Sequence, residues 1–435
     1  MEIGISILDE TMKKVILYLC AAILLAACAK KPEGHRVVMC IPVYGQSLAL
    51  GEDAKLITDF EELGKSYDGR IVTENMDHTF GYFDNNALKQ WGKKLIGYKK
   101  RTFELSVYGM AEALASQLGG DTLICIFPGG QGATPLARLS KGTTPYDTFI
   151  KNIKTAAENA WDNGWEFHLP AICWMQGESD IENYPDTDYK KLLTQFAEDI
   201  NQDVKAITGQ QEDVRIICYQ SNNVTGGKRY VQNAYDCFEC GVPQSQMELV
   251  RDNTLFWASG PTYPYTFVRE RIHINGICQK RIGHLAALAA IDIIRGQQTR
   301  QRGLIPLAVD GHDNQVIIQY NVPVSPLQFD TTSVAKARNY GFSVITPDNK
   351  DILKLVSIAG DSVILTCSKP VDSCRLRYGI NGQRMKSGHR HGPRGNLRDS
   401  QGDNKKVTVK GKEYPLHNWS YQFDMNITSD KQHEK

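Results

Sequence analysis

The sequence lacks a charge imbalance: its 435 residues include 50 Lys and Arg against 49 Asp and Glu, a net charge of +1 at pH 7. Surfaces that bind nucleic acid are usually strongly basic, so we expect no nucleic-acid partner. Internal repeats and low-complexity tracts are also missing. The remaining composition, 41% hydrophobic and 23% charged, is that of an ordinary globular protein long enough for two domains.

Cofactor motifs are missing as well. There is no glycine-rich phosphate-binding motif and no zinc signature. Cys237 and Cys240 have the spacing of metal ligands, but no second pair accompanies them, so a zinc site is not expected. Cys367 and Cys374 flank a proline-containing turn and could bridge a hairpin in an exported protein. We therefore expect no metal or organic cofactor.

The amino terminus contains an apolar run too short to span a bilayer comfortably. Lys13 and Lys14 precede the run from Val15 to Ala27, which has the length of a signal-peptide core. The run closes with 25–28, Leu-Ala-Ala-Cys, which resembles a bacterial lipoprotein signal in which Cys28 is lipidated after cleavage. On this interpretation residues 1–28 are a signal segment, Met12 is the more natural start, and the mature protein is lipid-anchored in the cell envelope. The alternative is a plain secretory signal cut near Ala27.

A buried strand that ends in a serine organises the rest of the chain. The apolar, β-branched run from Val37 ends abruptly in Gly45-Gln46-Ser47. This pattern predicts a strand that delivers Ser47 to a tight turn at its carboxyl end, where ligands collect in open α/β sheets. A hydroxyl alone is a poor nucleophile, so the hypothesis requires a histidine base elsewhere and donors for an oxyanion.

The remaining sequence contains two regions with different patterns of apolar and polar residues. From Val37 to about Arg295, strand-like runs alternate with amphipathic helical segments, which predicts an α/β domain over 36–298 with a parallel sheet covered on both faces. After Gly303, short β-branched runs are separated by Gly, Pro, Asn and Asp. This second pattern predicts a small β-sandwich over 303–430.

Three motifs at predicted strand ends carry a resemblance to a known family. They are 45–47 (Gly-Gln-Ser), 174–180 (Trp-Met-Gln-Gly-Glu-Ser-Asp) and 270–273 (Glu-Arg-Ile-His). Together they resemble the SGNH-type hydrolases, and within them the sialate O-acetylesterase and acetylxylan esterase branch of the carbohydrate esterases. The resemblance spans roughly 37–296 and implies a flavodoxin-like, three-layer fold.

The resemblance implies a serine esterase. Ser47 would attack an acyl carbonyl, and His273 would accept its proton and pass it to the departing sugar hydroxyl. Glu270, three residues before the histidine, would orient the imidazole, although the family has Asp at that position. Glu178 is the rival acid. Asp180 is expected to cap the helix that follows it.

The oxyanion requires hydrogen-bond donors. The candidates are the backbone N–H of Ser47, a backbone N–H in the Gly129-Gly130 loop, and the side chain of Gln176, which by resemblance takes the place of the family's asparagine. Gly130 is the donor named from that loop, and a glycine cluster at a strand end lets backbone N–H groups face a ligand.

The expected partner is an acetylated glycan, either plant polysaccharide or O-acetylated sialic acid. Flat aromatic faces suit sugar rings, so Tyr82, Trp91, Tyr98 and the 257–265 stretch are candidate sugar contacts. Two alternatives remain: a non-catalytic glycan-binding surface lipoprotein, and an esterase for a longer acyl chain or a thioester. The sequence leaves the oligomeric state open.

Overall fold

The computed structural model describes residues 36–67, 70–72, 103–238, 240–297 and 303–429. The predicted signal segment with Cys28 lies outside these residues, as do Tyr82, Trp91 and Tyr98. Among the described residues, no helix is both long enough and apolar enough to cross a bilayer.

The first part of the described chain alternates strands with helices. Its strands are β1 (Val37–Cys40), β2 (Val43–Gly45), β3 (Ile71–Val72), β4 (Thr122–Cys125), β5 (Pro128–Gly130), β6 (Glu166–His168), β7 (Ala171–Met175), β8 (Arg215–Gln220) and β9 (Phe256–Pro261). Its helices are α1 (Phe60–Ser66), α2 (Ser106–Gln117), α3 (Thr144–Asp162), α4 (Tyr189–Thr208), α5 (Gly241–Asp252) and α6 (Gly276–Ile294).

The strands form two parallel sheets that continue into each other. One has the order β3-β4-β1-β6 and the other the order β5-β2-β7-β8-β9. Strands β1, β4 and β6 each lead within three residues into β2, β5 and β7, and Ile41 N–H to Cys125 O and Val43 N–H to Phe127 O carry the hydrogen bonding across the gap. The combined order is that of a doubly wound, flavodoxin-like sheet. The predicted α/β class is confirmed.

The helices have clear local causes. Helix α4 is capped at its amino-terminal end by Asp188, whose side chain accepts a hydrogen bond from Lys191 N–H, and is followed by Gly209 in a left-handed conformation. Helices α2 and α6 lie unusually close together, because a Cβ at Gly283 would fall 1.9 Å from Ser106 O. That close approach fixes α6, whose amino-terminal end faces the candidate site.

The rest of the described chain, the β-domain (303–429), is rich in antiparallel strands. The strands are β10 (Ile305–His312), β11 (Gln315–Asn321), β12 (Gln328–Phe329), β13 (Phe342–Ile345), β14 (Leu353–Ala359), β15 (Ser362–Cys367), β16 (Arg375–Tyr378), β17 (Leu397–Arg398), β18 (Lys406–Val409), β19 (Lys412–Pro415), β20 (Phe423–Asn426) and β21 (Thr428–Ser429), with one short helix, α7 (Gln401–Asn404). The two larger sheets have the orders β14-β15-β11-β10-β21 and β13-β16-β20. The predicted appended β-structure is confirmed.

The β-domain shares its core with the α/β domain. Gln220 at the end of β8 donates from Nε2 to Gln422 O at 2.8 Å, and its Oε1 accepts from Gln422 N–H at 2.8 Å. Tyr263 OH lies 3.2 Å from Tyr378 OH. All of these side chains are buried, so separating the domains would leave several polar groups unpaired.

The described cysteines are all free thiols, and each is buried. Cys367 and Cys374, which the sequence left as a pair that could bridge a hairpin, are among these free thiols. No group of three or more His, Cys, Asp or Glu side chains in the described ranges has the arrangement of a metal site.

Strands β2 and β5 approach through glycines. Gly130 has φ +106°, and a Cβ there would lie 1.9 Å from Gly45 O, closer than any real contact. We therefore expect Gly130→Ala to lower the free energy of unfolding by about 3 kcal/mol or more, because the side chain needs both an unfavourable φ and a displaced strand. Chemical denaturation measures this loss.

Gly120→Ala is the matched control, since nothing lies within 4 Å of a Cβ at that position. Its stability should stay near wild type. Equal stabilities of the two variants would contradict the packing described for β2 and β5.

Candidate active site

Ser47 lies where the order of the parallel strands reverses. Strand β2 pairs with β5 on one side and with β7 on the other, and it ends at Gly45, two residues before the serine. A Cβ at Gly45 would lie 2.1 Å from Met175 O, so only glycine allows this close pairing. Ser47 therefore sits at the switch point, where open α/β sheets bind ligands.

The chain after the serine folds into a compact turn, the Ser47 turn (46–54). Leu50 N–H donates to Gln46 O, and Glu52 N–H donates to Ser47 O at 2.9 Å. Asp53 follows with φ +60°, a left-handed conformation that Asp tolerates better than most residues. The turn brings the carboxylate of Asp53 back toward the serine.

His273 is carried by a short hairpin, the His273 loop (267–274). Phe267 and Ile274 form an isolated antiparallel bridge, and Val268 N–H donates to His273 O at 2.7 Å. Asn275 directly follows the loop and caps helix α6, its side chain accepting from Cys278 N–H. The histidine is thus fixed to the first turn of α6.

The first turn of α6 packs on the Ser47 turn. Gln279 is 1% exposed and donates from Nε2 to Leu48 O at 3.0 Å. A Cβ at Gly276 would lie 2.2 Å from Lys55 O, so the helix meets the chain backbone to backbone. Both sides of the site are therefore held by one helix end.

These contacts assemble a serine, a histidine and a carboxylate. His273 Nε2 lies 2.8 Å from Ser47 Oγ, and His273 Nδ1 lies 2.8 Å from Asp53 Oδ2. An ionised carboxylate can only accept, so Nδ1 carries the proton and Nε2 is free to accept from the serine hydroxyl. The serine is 9% exposed, and the His273 and Asp53 side chains are 21% and 49% exposed. The site is open to solvent on the carboxylate side.

The acid beside His273 is therefore Asp53, and neither predicted acid takes this place. The Glu270 side chain lies 3.2 Å from Lys386 Nζ and 3.5 Å from His391 Nε2. Glu270 has φ +52°, so the helical geometry that would place it beside a histidine three residues later is absent. Sequence analysis missed Asp53 because its only signal was a polar residue six positions after the serine.

Glu178 is buried next to a tyrosine. Its two carboxyl oxygens lie 2.7 and 2.6 Å from Tyr219 OH. Burial raises the pKa of Glu178 to about 7, although the hydrogen bond from Tyr219 opposes the shift. Glu178 is thus engaged inside the domain rather than on the His273 ring.

Gln176 also differs from its predicted role. It is fully buried, and its Nε2 donates to Asp180 Oδ2 at 2.5 Å and to Thr134 O at 3.2 Å. Both amide protons are used, so the side chain cannot serve an oxyanion without breaking these bonds. Asp180 does not cap the following helix. It accepts instead from Leu136 N–H at 2.9 Å, and so links two loops beneath the site.

Backbone groups near the serine are better placed as donors. Among the described residues, none accepts a hydrogen bond from the backbone N–H of Ser47 or of Gly132. A Cβ at Gly132 would lie 3.9 Å from the Cβ of Ser47, so this loop runs beside the hydroxyl. Gly130, the predicted donor, is two residues earlier and pairs with Gly45 in the sheet.

The predicted sugar contacts in the 257–265 stretch are buried. Trp257, Tyr263 and Tyr265 are 4%, 0% and 3% exposed. Tyr263 packs at the domain interface, and Trp257 is at the amino-terminal end of β9, opposite the site. These rings stabilise the fold and are not available to stack on a sugar.

The raised pKa of the buried Glu178 predicts how the free energy of unfolding depends on pH. Its pKa is 4.5 in its ordinary state and about 7 in the folded protein, so between these values the folded state holds a proton that the unfolded state releases. Wild-type stability should therefore fall as the pH rises through this window. Glu178→Gln cannot titrate, so its unfolding free energy relative to wild type should rise by up to about 3 kcal/mol from pH 4.5 to 7.

Denaturant unfolding at several pH values measures the difference. Glu198→Gln, on an exposed position of α4, is the control and should show no such slope. A flat difference for Glu178→Gln would contradict the raised pKa.

Comparisons with known proteins bear on the family and the fold of the chain. Residues 98–292 match the family model described as carbohydrate esterase, sialic acid-specific acetylesterase. A search of curated proteins finds no match. A solved carbohydrate acetylesterase from Xanthomonas citri is similar, with a TM-score of 0.54 and 16% identity over 83% of this chain and 77% of its own. The 83% of this chain that is covered is more than the α/β domain contains, so the similarity in fold extends into the β-domain.

Two further solved structures are less similar. A protein of Arabidopsis thaliana has a TM-score of 0.42 and 13% identity over 59% of this chain and 98% of its own. A carbohydrate acetylesterase from Sinorhizobium meliloti has a TM-score of 0.28 and 13% identity over 59% and 99%. The family match and the fold together confirm the predicted resemblance: residues 98–292 match the sialic acid-specific acetylesterase family of carbohydrate esterases, and the fold is shared with a solved carbohydrate acetylesterase.

Proposed function

We propose that Ser47, His273 and Asp53 remove O-acetyl groups from a carbohydrate by acyl transfer to water. The observation that carries the proposal is the unbroken hydrogen-bonded line from Asp53 through His273 to Ser47, with 2.8 Å at each step. In this mechanism Ser47 Oγ attacks the acetyl carbonyl while its proton passes to His273 Nε2. His273 then gives that proton to the departing sugar oxygen, and a water molecule hydrolyses the acetyl-serine by the reverse sequence.

Asp53 has two tasks in this mechanism. Its carboxylate holds the imidazole with the proton on Nδ1, and it stabilises the imidazolium that forms when Nε2 takes the serine proton. Because Asp53 is half-exposed, solvent screens its charge, and water therefore contributes to stabilising the imidazolium. Orientation is therefore the larger contribution of Asp53.

The oxyanion of the tetrahedral intermediate would be held by backbone donors. The N–H groups of Ser47 and Gly132 are the candidates, because no described residue accepts from either and Gly132 runs beside the hydroxyl. Preorganised N–H groups of this kind typically contribute about 10²–10³ in turnover each. Gln176 would act indirectly, by holding the loops under the site.

The substrate proposed first is an O-acetylated sialic acid, since the matching family model is described as sialic acid-specific. Acetylated plant polysaccharide is the second candidate. Acetate release from a panel of both classes distinguishes them, and a series of esters of increasing acyl length tests the preference for acetyl.

The catalytic assignment predicts a specific pattern of variants. Ser47→Ala should lower kcat by about 10⁴ or more, because the nucleophile is lost. Asp53→Asn should lower kcat by about 10² or more, because an amide can present its N–H to Nδ1 and stabilise the wrong tautomer. The measurement is hydrolysis of a chromogenic acetate ester by the purified enzyme without residues 1–28.

Glu178→Gln is the control for the acid, since this buried carboxyl does not reach the His273 ring. It should keep a much larger share of kcat than Asp53→Asn. A wild-type rate for Ser47→Ala would contradict the serine mechanism and would favour the alternative, a non-catalytic glycan-binding protein. If Glu178→Gln lowered kcat more than Asp53→Asn, the acid of the mechanism would be Glu178 instead of Asp53.

We also propose that the mature protein is exported and anchored to the bacterial envelope through a lipid on Cys28. The sequence pattern of residues 15–28 supports this, and a flexible lipid anchor would leave the esterase fold in water. We expect Cys28→Ser to shift the full-length protein from the membrane fraction to the soluble fraction or to the unprocessed precursor. Fractionation with palmitate labelling measures this, and a wild-type protein that is soluble and unlabelled would favour a plain secretory signal.

A further inference from the structure

The His273 loop contains two adjacent residues in an unfavourable conformation. Arg269 has φ +55° and Glu270 has φ +52°, and neither is a glycine. Left-handed backbone costs a side-chain-bearing residue about 1 kcal/mol or more, so two in a row need outside support. The bridge at Phe267 and Ile274 closes the base of the loop but does not reach its tip.

The support comes from the β-domain. A segment of that domain, the strap (383–391), lies against the tip of the His273 loop. Ser387 N–H donates to Glu270 O at 3.1 Å, Lys386 Nζ donates to Glu270 Oε2 at 3.2 Å, and His391 Nε2 lies 3.5 Å from Glu270 Oε1. One residue of the loop is thus held at its backbone and at both carboxylate oxygens.

The strap is itself tied to the α/β domain. His389 Nδ1 lies 3.1 Å from Tyr265 O, just before the His273 loop. A Cβ at Gly388 would lie 2.9 Å from the Phe267 ring, so the strap passes directly over the base of the loop. Met385 N–H donates to Thr225 O at 3.1 Å in the connection after β8. These contacts hold the strap in place on the α/β domain, so Glu270 binds to a segment whose position is fixed.

The charge around Glu270 agrees with this arrangement. The hydrogen bond from Lys386 lowers the pKa of Glu270, and His391 and Arg390 act in the same direction. The carboxylate is therefore ionised and lies among basic groups of the strap. An exposed pair of this kind contributes little to overall stability, so its effect should be local.

We propose that Glu270 is a positioning residue, which fastens the His273 loop to the strap and thereby makes the β-domain a working part of the esterase site. Glu270 does not contact His273 and does not orient its proton. It sets where the loop tip lies, and with it the distance between the imidazole and Ser47. The inference rests on the proposed function, since it assigns a role within that site.

The test is a double-mutant cycle on Glu270 and Lys386, followed by kcat and KM on the chromogenic acetate ester. Displacing a catalytic group by a fraction of an ångström is costly, so we expect Glu270→Gln and Lys386→Met each to lower kcat about tenfold with KM nearly unchanged. The double variant should be about as active as Glu270→Gln alone, because both single variants remove the same Glu270–Lys386 contact. Lys386→Arg keeps a donor and should recover most of the rate.

Glu413→Gln provides a matched control. Glu413 pairs with Lys406 at 2.8 Å in the β18–β19 hairpin, and the lysine side chain is 41% exposed, as is that of Lys386. This variant removes an equivalent surface pair away from the His273 loop, so kcat should stay at wild type. Thermal unfolding of all variants shows whether a lost rate reflects lost stability.

Three outcomes would overturn the proposal: wild-type kcat in Glu270→Gln, loss of stability in proportion to loss of rate, or a loss in Glu270→Gln that Lys386→Met does not share. The last result would show that the pair with Lys386 does not position the His273 loop. A second readout separates this inference from the proposed substrate. A fluorophosphonate labels Ser47 without any acetyl ester, and His273 activates the serine for this reaction, so the labelling rate should fall in both variants even if no acetyl ester is the natural substrate.

Discussion

The contact on which the site depends is the packing of the first turn of α6 against the backbone of the Ser47 turn. Gln279 donates to Leu48 O in this turn, and Gly276 allows the helix to approach the carbonyl oxygen of Lys55, the residue that directly follows the turn. Asn275 starts this helix and His273 precedes it by two residues, so the helix that is seated on the serine also delivers the histidine. Two groups separated by more than two hundred residues are in this way fixed by a single interface.

This interface also explains why the acid comes from the turn rather than from the histidine segment. The Ser47 turn has to bend sharply to pass under α6, and its last residues therefore face the helix start. Asp53 adopts the left-handed conformation there and reaches His273 Nδ1. The carboxylate lies close to the serine in the chain, and its position is determined by the same contact that places the other two groups.

Much of the fold was predictable because its causes are local. The strand ending at Gly45 and the helix ending at Gly209 each have their signal in a few neighbouring residues. Ser47 and His273 could be selected as candidates because strand ends and helix starts predict which residues lie at the carboxyl edge of a sheet. Gln176 could not be assigned correctly, because its hydrogen bonds to Asp180 and Thr134 join segments whose proximity no sequence pattern specifies.

The acid was mispredicted for a related reason. An acid three residues before a histidine lies beside the imidazole only if the backbone between them is regular. Here Arg269 and Glu270 both have left-handed backbone conformations. That conformation turns the Glu270 carboxylate toward Lys386 and away from the imidazole. Whether a residue is left-handed depends on what surrounds it, in this case the strap of the β-domain, which lies more than a hundred residues further along the chain.

Three carboxylates near the site thus differ in function because they differ in surroundings. Glu178 is enclosed with Tyr219, and burial raises its pKa to about 7, so it is suited to a structural hydrogen bond rather than to a permanent charge. Glu270 is exposed among basic groups that keep it ionised, which suits an ion pair between domains. Of the three, Asp53 is the one beside the catalytic candidate His273, with its Oδ2 2.8 Å from Nδ1. Residue type and spacing offered Glu270 and Glu178 for one role and did not point to Asp53, and the environment of each carboxylate separates the three.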